Sequence, residues 1–190
     1  EIALSAEDAT LHGEVLIDLQ TDLAQGILYA QTTTIETFAP LIGIDSLQGA
    51  LGLECTLDPL ELSQHIHLHL FSQHLSYKEP RAEQLSVLAA VYHLADPPSV
   101  TIDLSPSQIS TPHMFLETMA LQTTRTSEKQ WGFTLTTTGE LDDPLALTAE
   151  GNWELEDHAL SLTLTQAHGQ IAQHPFFLQQ PCTALFAPHH

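Results

Sequence analysis

The stretch LELSQHIHLHLF, residues 60–71, decides the fold. Leu60, Leu62, Ile66, Leu68 and Leu70 share one parity, Glu61, Ser63, His65, His67 and His69 the other, and Gln64 alone breaks the apolar row. A period of two places successive side chains on opposite faces of a strand, so one face here is dry and the other wet. At about 3.3 Å per residue the strand runs roughly 33 Å, well beyond the usual five or six residues.

The same rhythm recurs on both sides. Upstream, Val15, Ile17 and Leu19 form one strand, residues 26–34 a second, and Leu51, Leu53, Cys55 and Leu57 a third that ends at an Asp58-Pro59 turn. Downstream come Leu85 and Val87, then Val100, Ile102 and Leu104, followed by a loop bracketed by Pro106 and Pro112. Residues 113–124 read as strand. Phe133 and Leu135, Leu145 and Leu147, then Leu160, Leu162 and Leu164 continue the series, and Phe176 to Leu178 closes it. Two segments differ. Residues 1–10 show little periodicity, and Ile35, Phe38, Leu41 and Ile42 are spaced as on one short helix near 35–42, limited by Pro40 and ended by Gly43.

Turn signals return every eight to fifteen residues, and no helical segment is long enough for a parallel crossover. The expectation is all-β, one antiparallel meander. A sandwich or a barrel would show the same one-sided strands, so pattern alone leaves the architecture open. The phrase from Gly52 to Leu60, GLECTLDPL, is echoed by GELDDPL from Gly139 to Leu145, which points to hairpins stacked along one axis.

Composition narrows the function. Lys78, Arg81, Arg125 and Lys129 stand against 24 carboxylates, and a net charge of -20 offers no basic patch for nucleic acid or an anionic bilayer surface. Only 6% of residues are aromatic, so the dry surface is aliphatic. The 190 residues are expected to form a single domain, with no apolar run of membrane-spanning length and no signal peptide. Cys55 shares parity with Leu53 and Leu57 and reads as a core thiol, and its pairing with Cys182 is left open. No Gly-x-Ser-x-Gly, phosphate-cradling glycine loop or His-Glu-x-x-His occurs, which argues against an enzyme, and no cofactor is expected. His65, His67 and His69 could give zinc two ligands if a neighbour supplied a third, but they read more simply as the wet face, and no metal is expected. Trp131 and Trp153 share parity with Phe133 and Leu155 and read as buried.

The order of motifs carries a resemblance. Phe38-Ala39-Pro40-Leu41-Ile42-Gly43-Ile44 and Leu47-Gln48-Gly49-Ala50-Leu51 precede the Leu57–Leu60 turn and the long strand. Gly139 to Leu145, Gly151-Asn152-Trp153 and Pro175-Phe176-Phe177-Leu178-Gln179-Gln180-Pro181 follow. In this order the chain resembles the TamB subunit of the translocation and assembly module and its AsmA-like relatives. The resemblance implies a long sheet folded like a taco shell around an aliphatic groove. It also implies a periplasmic setting in a diderm bacterium, phospholipid acyl chains as cargo and outer-membrane biogenesis as context. The parent protein would be anchored in the inner membrane, with flanking segments of the same chain and the barrel TamA as partners. The chain would be a segment of that longer protein, lacking the anchor and a recognisable TamA-binding region. The alternatives are a closed sandwich or solenoid module of a surface protein, or a metal-binding envelope protein using the histidine face.

Overall fold

The computed structural model describes residues 2–6, 8–37, 46–60, 63–92, 99–127, 129–156 and 159–186. Nearly all of them are strand. In order these are β1 (Ile2–Ala6), β2 (Ala9–Asp18), β3 (Leu23–Thr32), β4 (Leu47–Leu60), β5 (Ser63–Tyr77) and β6 (Arg81–Tyr92). Then follow β7 (Ser99–Thr111), β8 (Met114–Arg125), β9 (Gln130–Leu141), β10 (Asp143–Glu156), β11 (Ala159–Ile171), β12 (His174–Phe177) and β13 (Cys182–Phe186). Each pairs antiparallel with its sequence neighbour from β1 to β12, and β13 also lies against β11. Because β12 faces residues 168–171 and β13 faces 160–164, the two together form one interrupted edge. The sheet is open, with β1 at one edge and β12 with β13 at the other.

No second layer covers this sheet among the described residues. The accessible surface is 12981 Å², whereas a compact chain of 20.8 kDa exposes roughly 9,000 Å². The excess, roughly 4,000 Å², is what a single-layered sheet leaves wet. Of the described apolar side chains only Ile35, Pro106, Leu116 and Ala149 are buried, and none is completely enclosed. A closed sandwich is therefore not the architecture.

Several sequence expectations shift. The turn expected at Asp58-Pro59 comes later: β4 runs through Pro59 to Leu60, and β5 begins at Ser63. Pro59 is tolerated because a side chain replaces its missing donor. Continuing the register of Gly26 opposite Leu57 puts Ala24 opposite Pro59, which has no N–H to give. Gln64, opposite Pro59 on β5, reaches across instead. Its Nε2 donates to the Ala24 carbonyl at 3.0 Å, and its Oε1 accepts from the Ala24 N–H at 2.8 Å. The one polar residue in the apolar row thus stitches β3 to β5.

Pro106, expected in a loop, lies mid-strand in β7 opposite Leu85. Residues 2–6, read as aperiodic, form β1, and β13 was not foreseen. The short helix is a 3-10 turn at Ile35–Thr37, and the remainder of 35–42 lies outside the described residues. The repeated phrase is not repeated structure: its first copy lies within β4, while its second reverses the chain at Asp142, where φ is 61°.

Three β-bulges break the ladders, at Gln48/Ala50, Leu116/Thr118 and Glu150/Gly151. Each leaves a carbonyl that a hydroxyl answers. Ser72 Oγ donates to Ala50 O at 2.6 Å, Thr137 Oγ1 to Thr118 O at 2.9 Å and Thr165 Oγ1 to Glu150 O at 3.1 Å. Bulges insert one residue and bend the strand. Between the first two, β5 to β8 carry the extra residue in register, at His74, Glu83, Gln108 and Glu117. His74 and Gln108 adopt φ of 54° and 51°, and His74 Nδ1 meets Glu83 Oε2 at 2.7 Å. The extra residue flips the parity beyond it, so Leu75, Ala82, Ile109 and Leu116 join the dry face.

Candidate functional site

Residues directly opposite in an antiparallel ladder point to the same side, so registers can be followed from strand to strand. One rung begins Leu4, Leu11, Ala30, Leu53, Leu70 and Val87. It continues through Leu104, Leu121, Leu135, Ala149 and Ala167. Every member is aliphatic. Eleven strands at about 4.8 Å make this rung roughly 48 Å long.

Flanking rungs widen it. One joins Leu28, Cys55, Leu68, Ala89 and Ile102, then Thr123, Phe133, Gly151 and Leu164, and ends on Cys182. Another takes Val15, Gly26, Leu57, Ile66, Val91 and Val100. On the other side run Leu51, Ser72, Leu85 and Pro106, with Thr137, Leu147 and Gly169 further on. Leu116, Gly139, Leu145 and Ile171 lie beyond. Along β5 the face spans about 30 Å from Ile66 to Leu75, so its flat footprint is on the order of 1,400 Å², mostly apolar but with Ser72, Thr123 and Thr137 inside it. The largest patch on an ordinary monomer is about 300–600 Å² and is often functional.

The gaps in this face are filled by neighbouring rings. Phe133 lies over Gly151, and Phe176 over Gly169. Near β1 to β4 the surface sinks into an open depression of about 440 Å³ between Leu4, Leu11, Ala30, Leu51 and Leu53, within the range of ligand sites. Burial pushes the Cys55 thiol pKa up.

Most of the residues expected to line a groove share this face: Val15 and Ile17, Leu51 and Leu53, Ile66 to Leu70 in alternation, Leu85 and Val87, and their counterparts to Leu164. Two fall elsewhere and one is not described. Leu60, opposite Ser63, points to the other face because the hairpin turns after it. Leu19 sits in the turn after β2, 87% exposed. Leu62 lies outside the described residues. Sequence reading missed Leu4, because β1 is only five residues long, Leu11, which Gly13 separates from Val15 on β2, and Leu116, whose parity the bulge at Glu117 reverses.

The opposite face holds the histidines. His65 is buried with its ring edge-on to Tyr92 at 5.2 Å, His67 meets the same ring at 5.6 Å, and His69 Nε2 lies 3.1 Å from Ser86 Oγ. Among the described residues no group of three His, Cys, Asp or Glu side chains converges as metal ligands would. Trp131 and Trp153, expected to be buried, are half-buried on the aliphatic face and stack at 5.2 Å and 6°.

All four basic residues lie at strand ends or turns. Lys78, in the β5–β6 turn, stands 5.2 Å over the Tyr77 ring, with Arg81 opening β6. Arg125 closes β8, with Lys129 in the turn beyond. The polar margins of the face are thus where cations and aromatic rings gather. Comparison with protein-family models, curated proteins and solved structures finds no match for this chain.

Proposed function

We propose that this chain carries phospholipid acyl chains on its aliphatic face, as a segment of a TamB-like lipid conduit between the inner and outer membranes of a diderm envelope. The observation that supports the reading most is the unbroken aliphatic rung across eleven strands, with no second layer over it among the described residues. Moving a two-tailed lipid through water exposes some thirty methylenes at about 0.8 kcal/mol each, on the order of 20 kcal/mol. A continuous aliphatic surface removes most of that barrier. The lack of fixed polar groups along the rung lets a tail slide instead of stopping. In this reading the protein is not an enzyme. Its flanking segments extend the surface, and contact with TamA belongs to regions outside this chain.

Organic extraction of the purified protein followed by lipid mass spectrometry tests this. The expected result is co-purified phospholipid from the wild type and little from Leu68→Arg, with both folded by circular dichroism. A folded wild type that holds no lipid from membrane extracts overturns the proposal.

A further inference from the structure

We propose that Arg125 and the stacked Trp131 and Trp153 form a headgroup seat, where the phosphodiester of a two-tailed phospholipid rests while its tails lie on the aliphatic rungs. This rests on the lipid-carrying reading and adds which end of the lipid goes where.

Arg125 is directly opposite Trp131, Trp131 opposite Trp153, and Trp153 opposite Leu162. They end the dry face on β8 and β9, while on β11 Leu160 carries it one step further. The indole rings are nearly parallel, 5.2 Å apart. Arg125 Nε donates to Ser127 O at 3.0 Å, which fixes the guanidinium beside the β8–β9 turn. A guanidinium carries five donors in a planar fork that suits phosphate oxygens. Lys129 in the same turn brings a second cation, so half the basic side chains of a chain with charge -20 meet at one corner.

Charge this scarce, set at the border of an oily face, is the arrangement that membrane proteins use at the level of lipid headgroups, where Trp and basic residues mark the end of the hydrocarbon. The dimensions agree. From Arg125 to the central rung at Leu121 is four residues, about 13 Å, close to the roughly 15 Å of one leaflet's hydrocarbon. The fatty tails would cross Thr123 and Phe133 first, then Leu121 and Leu135.

Trp131 and Trp153 are the only two tryptophans in the chain, so indole fluorescence reports on this corner alone. The test titrates the full chain with short-chain phosphatidylglycerol below its micellar concentration, with diacylglycerol bearing the same tails, and with inorganic phosphate. Phosphatidylglycerol should shift the emission and bind about tenfold tighter than diacylglycerol. Arg125→Gln should bring the two lipids level without weakening diacylglycerol. Lys129→Gln, in an exposed turn that does not threaten folding, should narrow the gap severalfold. Equal affinity of the wild type for both lipids overturns the headgroup seat and leaves the aliphatic carrier standing. Failure of both lipids to bind overturns both readings. A response to inorganic phosphate as strong as to phosphatidylglycerol also overturns the seat, reassigning the corner to free anions.

Discussion

Gln64 shows how much one side chain can decide. Its neighbours Ile66, Leu68 and Leu70 invite the replacement Gln64→Leu, which would complete the oily row. That change removes both hydrogen bonds to Ala24 and leaves a part-buried backbone N–H and C=O beside a proline that cannot help. We expect a loss of about 1–2 kcal/mol, read as a lower urea midpoint with an unchanged slope. The cysteines make a second residue-scale contrast. Cys182 is exposed on an edge strand, whereas Cys55 is half-buried and burial disfavours its thiolate. Because the thiolate is the nucleophile, iodoacetamide at pH 8 should modify Cys182 well before Cys55, as peptide mapping would show.

At the scale of elements, the bulges do most to shape the sheet. Replacing Ser72 by Ala or Thr137 by Val strips the hydroxyl from the carbonyl at a bulge, where both side chains are buried. Each should cost about 1–3 kcal/mol in thermal or chemical unfolding. Exposed Thr165→Val, at the third bulge, should cost less. The bulges also explain what could be read beforehand and what could not. Strands β4 to β6 and their dry parity were legible in their middle because apolar residues alternate from Leu51 to Leu57, Ile66 to Leu70 and Leu85 to Val91. The flip at His74 and Gln108 was not, because a left-handed residue leaves no mark in a hydrophobic pattern when its side chain is polar. Pro59 and Pro106 misled for a related reason. A proline signals a turn by its missing donor; beside Pro59 the Gln64 side chain makes up that lack, whereas Pro106 stays in register opposite Leu85. The candidate face was therefore legible in its middle and illegible at its margins.

For the whole molecule, a single-layered sheet this acidic depends on repulsion to stay dispersed. Protonating all twelve histidines takes the charge from -20 to -8, and histidine is the side chain that changes charge between pH 5 and 8. Repulsion therefore weakens as pH falls. The open edges invite association: β1 (IALSA) and β13 (CTALF) contain no charged residue, although charge is the common protection of an edge strand. Sedimentation should show larger species at pH 5.5 than at pH 8, with salt narrowing the difference from the high-pH side.

Cys55 and Cys182 end up on the same rung, eight strand spacings apart, about 38 Å if the sheet were flat. Nature has thus placed two thiols as the marks of a ruler laid across the protein. Spin labels there, attached after mild unfolding and refolding, would measure its curl directly, and a shortened separation would mean that the two ends lean toward each other.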